Sequence, residues 1–266
     1  MTRYDLLIID PQNDFLDIQG AALPVPGAAA DMDRRAKWLL LNHYSIDSIT
    51  VTLDSHASVG IERTTFWVDA EGSEVPAFTL ITASDVEKGV FKPRWTNRFD
   101  EAVGYLRSLE ASGKNRLIAW PVHCVTGTWG HNIVAALSSA IAVWEMQTGK
   151  ACVKILKGTN PMTEQYSAFR AEVQRDDDPS THLNVPLLKR LAQSQGRLIV
   201  AGEAQSHCVA ASVRDMVKNL SASRLNHTIL LADCMSPVTG FEAMGATFME
   251  EASAAGIRCM TTNELA

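Results

Sequence analysis

The turn around Cys208 has the clearest capacity for chemistry in this sequence. Residues 198–201 are apolar and fit a short buried strand, Gly202 ends that run, and a helical pattern follows. A thiol at such a junction faces unpaired backbone N–H groups and the positive end of a helix, which favour thiolate and can stabilise an oxyanion. The turn therefore predicts a cysteine nucleophile, with a buried structural cysteine as the alternative. His207 is not predicted as its base, because adjacent residues on a helix point apart.

Two further polar residues follow predicted strands and could assist a thiol nucleophile. Asp10 ends the apolar run that begins at Tyr4, and Lys157 ends the run that begins at Ala151. A cysteine hydrolase needs a base for the thiol proton and a cation that stabilises developing charge. Asp10 could be that base and Lys157 that cation. The alternatives are a turn residue before Pro11 and a surface lysine.

A second group of residues could bind a metal ion. Asp54 and His56 follow a predicted strand at residues 47–53, and their i, i+2 spacing places both side chains on one face of an extended segment. His123, after a predicted strand at residues 116–120, could complete an open set of three ligands with room for water or substrate. The alternatives are a solvated loop for Asp54 and His56 and a hydrogen-bonded loop histidine for His123.

The elements that must position these residues follow the alternation of a parallel α/β sheet. The carboxyl ends of parallel strands share one edge, so residues that are distant in sequence can converge there. One domain over residues 1–266, with an elaborated insertion at about 57–119, is predicted. The predicted strands are 4–9, 47–53, 116–120, 151–156, 198–201, 228–232 and 257–260, and the predicted helices are 31–43, 99–109, 131–144, 163–173, 187–194 and 241–254.

Composition limits the classes of function. The chain has 266 residues, of which 46% are hydrophobic and 20% charged, as in ordinary globular proteins. A net charge of -6 argues against a nucleic-acid or anionic-membrane surface, since both need clustered Lys and Arg. The sequence has neither a signal-peptide pattern nor an apolar run near the ~20 residues of a membrane-spanning helix. The 5 scattered cysteines do not predict a disulfide framework, so a cytoplasmic protein is expected.

Motifs along nearly the whole chain occur in an order that a known family shares. They are IDPQNDF at 9–15 with GAALPVPG at 20–27, TLDSH at 52–56, WPVHCVTGT at 120–128, KGT at 157–159 with YSAF at 166–169, and GEAQSHCV at 202–209. In this combination the chain resembles the isochorismatase-like cysteine hydrolases, and the nicotinamidases in particular. The resemblance implies a three-layer α/β sandwich, in which a six-stranded, mainly parallel sheet has helices on both faces.

The same resemblance implies roles for individual residues. It implies a catalytic triad of Asp10, Lys157 and Cys208. The oxyanion would be held by the backbone amides of Ala204 and Cys208, beside a cis peptide bond between Glu203 and Ala204.

The resemblance also implies a cofactor and a pocket. A divalent metal ion, usually zinc in this family, would bind Asp54, His56 and His123. Phe15 and Trp120 match pocket positions where a flat heteroaromatic ring could be held. Homo-oligomers are common in the family, so a homo-oligomer is expected, with its size and interface left open.

Three features of the chain depart from the family's pattern. Gly60 and Arg63 stand at the spacings where relatives have a second histidine and a phenylalanine. The connection from His56 to Trp120 is much longer than usual. Glu203 occupies a position that is commonly apolar in relatives. These departures bear on the substrate and leave the triad and the metal motif intact.

The function implied is hydrolysis of a small carboxamide with release of ammonia, most directly of nicotinamide to nicotinate. One alternative is another carbon–nitrogen hydrolase of the family, acting on a carbamoyl, ureido or different amide compound. A second alternative is a non-catalytic, metal-binding regulatory member whose 57–119 region is an interaction surface. An isochorismate ether hydrolase is disfavoured, because those relatives lack the nucleophilic cysteine.

Overall fold

The structure is a computed structural model that describes residues 2–113 and 116–265. Met1, Lys114, Asn115 and Ala266 lie outside the described residues, so the predicted insertion is described except at two positions. The strands are β1 (Tyr4–Ile9), β2 (Ile46–Asp54), β3 (Trp67–Asp69), β4 (Thr79–Ile81), β5 (Phe91–Pro93), β6 (Leu117–Ala119), β7 (Val153–Lys157), β8 (Arg197–Gly202), β9 (Thr228–Leu231) and β10 (Arg258–Met260).

Helices follow most of these strands. The α-helices are α1 (Ala28–Asn42), α2 (Ala83–Glu87), α3 (Phe99–Ser112), α4 (Ala135–Thr148), α5 (Val185–Gln193), α6 (Ala210–Asn219), α7 (Ala222–Asn226) and α8 (Glu242–Ala254). A π-helical turn, Gln205–Val209, precedes α6. Short 3-10 helices are Asn13–Phe15, His43–Ser45, Thr64–Phe66, Thr96–Arg98 and Pro179–Thr181. No helix in the described residues has the length and apolar character needed to cross a membrane.

A six-stranded sheet in the order β10-β9-β8-β1-β2-β7 forms the centre of the fold. Every pairing in it is parallel. Successive residues of β1, Leu7, Ile8 and Ile9, are all fully buried, because helices cover both faces of such a sheet. Helices α1 and α4 pack together, as do α6 and α8. The predicted three-layer α/β fold is confirmed, and its sheet is parallel throughout.

The predicted strand at 116–120 is present as β6, but it lies outside this sheet, so its expected place in the parallel sheet was wrong. β6 pairs with β4 in a separate antiparallel ribbon, and β3 pairs with β5 in another. The reason is a second hydrophobic cluster within the predicted insertion. Leu117 and Ala119 are buried in that cluster, while Ile118 between them packs in the main core. The alternation of the strand therefore divides its side chains between two cores.

The predicted helix at 163–173 is also absent from the structure, which has turns and irregular backbone there. Polar side chains of this segment are buried and bond to backbone or to other elements. Thr163 Oγ1 donates to the Val173 carbonyl, and Ser167 Oγ donates to Asp215. Such side-chain bonds compete with helical hydrogen bonds. They place the segment's polar residues against the carboxyl edge of the sheet.

Candidate active site

Cys208 lies in the π-helical turn between β8 and α6, at the carboxyl edge of the sheet. Its side chain is buried, and its Sγ lies 3.5 Å from Nζ of Lys157. Burial raises the pKa of the Cys208 thiol well above its usual value, and the positive charge of Lys157 only partly opposes that rise. The resting thiol is therefore protonated, and attack on a carbonyl requires a base beside it.

Asp10 directly follows β1 and is fully buried beside Lys157. Thr52 donates from Oγ1 to Oδ1 of Asp10 at 2.5 Å, which fixes the carboxylate. The other oxygen, Oδ2, lies 2.9 Å from Lys157 Nζ. Burial raises the pKa of Asp10, while Lys157 opposes the rise. A carboxylate with a raised pKa can accept a thiol proton and later return it.

Lys157, the last residue of β7, joins two buried carboxylates. Its Nζ is 2.9 Å from Asp10 Oδ2 and donates to Asp54 Oδ1 at 2.8 Å and to the Gln165 carbonyl at 3.1 Å. Burial alone would lower the pKa of this ammonium, but Asp10 and Asp54 outweigh burial and raise the pKa well above its ordinary value. Lys157 is therefore a permanent buried cation. The structure brings the predicted triad of Asp10, Lys157 and Cys208 together.

The backbone before the thiol has the features that an oxyanion site needs. The peptide bond between Glu203 and Ala204 is cis, as the resemblance implies. Within the described residues the Ala204 N–H donates no hydrogen bond. Ala204 and Cys208 both line the same pocket. A substrate oxygen could accept from these amides, and their role in catalysis stays a prediction.

Asp54, His56 and His123 converge at the other side of Lys157. One ligand atom from each lies within 4.8 Å of the others. Asp54 Oδ2 is 2.8 Å from His56 Nε2 and 3.5 Å from His123 Nε2. A Cβ at Gly158 would lie 2.6 Å from His56 Cε1, so glycine leaves the ring its place. Two imidazoles and a carboxylate with open positions form the donor set of a catalytic zinc site, so these residues fit such a metal.

The triad and the metal-capable group both contribute side chains to one pocket with aromatic walls, through Cys208, Asp54 and His123. Trp120 donates from Nε1 to the Tyr166 hydroxyl at 3.0 Å, and the Phe15 ring centroid is 5.2 Å from that of His123. Phe15 and Trp120 both line this pocket, and their role in holding a ring stays a prediction. The lining residues are Phe15, Leu23, Asp54, Trp120, His123, Glu164, Tyr166, Ala204, His207, Cys208 and Val238.

Five of the lining residues were not predicted as part of the site, and Glu164 and His207 are the two of them whose charge state burial alters most directly. Glu164 comes from the segment predicted as a helix, and its burial raises the pKa of the carboxyl to about 8. His207 was considered only as a base. Its ring lies 5.3 Å from that of Trp120, and burial lowers its pKa to about 4, so it is a neutral wall of the pocket. The one signal that could have found it is its position beside Cys208.

Comparison with known proteins identifies the class of fold to which the structure belongs. No protein-family model matches the sequence, and no curated protein matches it. The chain has the α/β fold of the isochorismatase-like hydrolases. Within that class, solved structures of nicotinamidases and pyrazinamidases share the fold over nearly their whole length.

Three of those structures illustrate the similarity. Yeast nicotinamidase Pnc1p is 20% identical over 97% of this chain and 99% of its own, with a TM-score of 0.66. A nicotinamidase/pyrazinamidase of Acinetobacter baumanii is 18% identical over 100% and 99% of the two chains, with a TM-score of 0.66. The pyrazinamidase of Pyrococcus horikoshii, in complex with zinc, is 21% identical over 97% and 99%, with a TM-score of 0.56. Identities at this level establish a shared fold.

Proposed function

We propose that the protein is a metal-dependent cysteine amidase that releases ammonia from a small heteroaromatic carboxamide such as nicotinamide. The observation that carries this proposal is the position of Lys157. Its ammonium contacts the base Asp10, the thiol Cys208 and the metal-capable Asp54, and the last two line one aromatic pocket. Nicotinamidases and pyrazinamidases that share the fold support the same chemistry, and one was solved in complex with zinc.

In the first half of the reaction, Asp10 accepts the proton of the Cys208 thiol. The thiolate attacks the carboxamide carbon, a C–S bond forms, and the carbonyl electron pair moves to oxygen. The amides of Ala204 and Cys208 stabilise that oxyanion. Lys157 stabilises the negative charge while it passes between sulfur and carboxylate.

In the second half, Asp10 returns its proton to the amide nitrogen, the C–N bond breaks, and ammonia leaves. The product of this step is a thioester on Cys208. Water then attacks the thioester and gives a proton to Asp10. The C–S bond breaks, the carboxylic acid leaves, and the sulfur recovers a proton from Asp10.

Asp54, His56 and His123 would hold the metal ion, and zinc suits this donor set. When bound, the metal supplies a Lewis acid that can hold the ring nitrogen of the substrate, directly or through water. Trp120 and Phe15 would then orient the ring by contact with its faces or edges. A homo-oligomer and a cytoplasmic location remain predictions.

The test is ammonia release from a panel that contains nicotinamide, pyrazinamide, benzamide and carbamoyl compounds. Wild type, Cys208→Ala and the control Cys259→Ala are compared, with metal content measured on the same samples. Cys259 is exposed, so its substitution should leave activity unchanged. Removal of a nucleophile costs orders of magnitude in rate, so Cys208→Ala should retain less than about 1% of the activity with unchanged metal content.

The pattern across the panel separates the alternatives. Release only from carbamoyl, ureido or other amides would keep the mechanism and assign a different carbon–nitrogen hydrolase. Release that survives in Cys208→Ala would refute the nucleophile. No release from metal-loaded wild type would leave the non-catalytic regulatory protein as the function to pursue.

A further inference from the structure

Two consecutive charged residues, Glu62 and Arg63, lie buried behind the metal-capable histidines. Glu62 Oε1 is 3.2 Å from Nδ1 of His56 and accepts from Arg63 Nε at 3.1 Å. Arg63 Nη1 lies 2.5 Å from Nδ1 of His123 and donates to the Pro121 carbonyl at 3.0 Å. Glu62 is 2% exposed and Arg63 is 0% exposed. Each histidine is therefore contacted on Nδ1, the nitrogen that faces away from Asp54. The contact to His56 comes from an anion, Glu62, and the contact to His123 comes from a cation, Arg63.

We propose that Glu62 and Arg63 are positioning residues that set metal affinity in opposite directions. Glu62 raises the affinity through His56, and Arg63 lowers it through His123. The inference rests on the metal site of the proposed function. It does not depend on which amide is hydrolysed.

The effect of Glu62 follows from the geometry of imidazole. A carboxylate at Nδ1 accepts the N–H of that nitrogen, which leaves Nε2 of His56, the atom that faces Asp54, as the nitrogen for the metal. Partners of this kind orient ligating histidines and increase their basicity, and their loss costs about 10–100-fold in metal affinity. The chain makes room for this carboxylate, since a Cβ at Gly60 would lie 2.5 Å from Glu62 Oε1. Gly60 is one of the departures from the family's pattern.

The effect of Arg63 has the opposite sign. A guanidinium group has only donors, so Nδ1 of His123 at 2.5 Å must accept. In a neutral ring the proton then sits on Nε2, which faces Asp54 Oδ2 at 3.5 Å and cannot bind metal while protonated. Ligation requires the proton at Nδ1, where the Pro121 carbonyl at 2.8 Å can accept it, and Arg63 must then give way.

Arg63 has little freedom to give way. Its Nε is held by Glu62, its Nη1 by Pro121, and the side chain has no exposure to solvent. A fixed guanidinium also repels a divalent cation, and burial weakens the screening of that repulsion. Both the proton rearrangement and the repulsion oppose metal binding, so removal of the charge should tighten it.

The experiment measures Zn²⁺ affinity of metal-stripped protein by competition with a chromophoric chelator, at constant pH and without substrate. Glu62→Gln should bind Zn²⁺ about 10–100-fold more weakly than wild type. Glu62→Ala should be weaker still, because glutamine keeps an oxygen acceptor for His56. Arg63→Met should bind Zn²⁺ at least about 10-fold more tightly. Arg94→Met is the matched control, since Arg94 is in the same insertion, is 39% exposed in its side chain and pairs with Glu74.

The outcomes separate a positioning role from a structural one. Structural damage would weaken binding in both variants, whereas the proposal requires opposite signs. Co²⁺-loaded protein gives a second readout, since a reoriented histidine changes the visible absorption while the far-ultraviolet circular dichroism stays constant. Unchanged affinity in Glu62→Gln, or equal or weaker affinity in Arg63→Met, would overturn the inference. If Arg63→Met does not fold, Arg63→Gln should also bind Zn²⁺ more tightly, and its failure to do so overturns the inference equally.

This result is independent of the test of function. Unchanged affinities in variants that do bind Zn²⁺ refute the roles of Glu62 and Arg63 alone. Absence of ammonia release from zinc-loaded wild type refutes the proposed amidase alone.

Discussion

Substitution of Lys157 by methionine tests the central electrostatic feature of the site. The side chain is 1% exposed and its ammonium lies within 2.9 Å of carboxylate oxygens of both Asp10 and Asp54. Methionine has a similar length and removes only the charge and the hydrogen-bond donors. The variant therefore leaves two buried carboxylates close together without their shared cation.

The cost of that change follows from the desolvation of the carboxylates. Removal of one partner of a buried ion pair destabilises a protein by about 3–5 kcal/mol, because the remaining charge is uncompensated. In a chain of this size about 1 kcal/mol lowers the melting temperature by about 2 °C, so Lys157→Met should melt about 6–10 °C below wild type at neutral pH.

The loss of stability in Lys157→Met should depend on pH, because it comes from buried carboxylates. In the wild type, the pKa of Asp54 is lowered well below its usual value, since His56 and Lys157 outweigh the effect of burial. Burial already raises the pKa of Asp10, and loss of Lys157 removes the main charge that opposes this rise. A raised carboxyl pKa means that stability is lost as pH rises. The deficit of the variant should therefore be largest near neutral pH and smaller toward about pH 5.

The assay is thermal unfolding of metal-free protein, followed by circular dichroism at several pH values. Lys154→Met is the matched control, because Lys154 lies on the same strand and is exposed. Exposed substitutions usually stay within about 0.5 kcal/mol of wild type. A Lys157→Met variant that melts within about 1–2 °C of Lys154→Met at neutral pH would refute the argument that this ammonium compensates buried charge.

Two other predictions concern buried titratable side chains. Burial raises the pKa of Glu164 to about 8, so this carboxyl lowers the stability of the metal-free protein as pH rises from its ordinary 4.5 toward 8. Glu164→Gln should remove that loss of stability. Thermal unfolding should therefore show that its melting temperature exceeds that of wild type by a margin that grows from about pH 5 to about pH 9. A margin that stays constant over this range would contradict the prediction. Arg35 is fully buried, its guanidinium nitrogens lack hydrogen-bond partners in the described chain, and burial lowers its pKa to about 10. Arg35→Met should therefore stabilise the protein by about 1–4 kcal/mol in denaturant unfolding, and a lower stability would be inconsistent with a cost of burial.

Residues at the ends of parallel strands were predictable from the sequence. Asp10, Asp54, Lys157 and Cys208 each follow an apolar run, and a run of that kind indicates both a buried strand and the edge where it ends. The register agrees, because Asp54 and Lys157 are paired neighbours on β2 and β7. Adjacency in a sheet was enough to bring these groups together.

Other parts of the site depend on contacts that no local pattern encodes. Glu62, Arg63 and Glu164 are buried, although charged residues are normally exposed and the sequence offered no reason to place them inside. Glu62 and Arg63 contact partners that only the tertiary fold supplies, His56 and His123. The segment 163–173 has enough apolar residues to resemble a helix, but its polar side chains bond inward and determine its path. His123 was predicted as a ligand, yet it arrives on a loop after a strand that belongs to a separate ribbon.

The shared position of Lys157 makes the two halves of the site thermodynamically linked. A divalent cation at Asp54 would compete with the ammonium for that carboxylate, so more of the lysine's charge would remain available to Asp10 and to the sulfur of Cys208. Metal binding should then favour thiolate, and linkage requires that thiolate favour metal binding by the same factor. A neutral group attached to the sulfur would remove that contribution. The fraction of Cys208 that is thiolate therefore depends on whether the metal site is occupied, although the sulfur is not one of the metal-capable ligands.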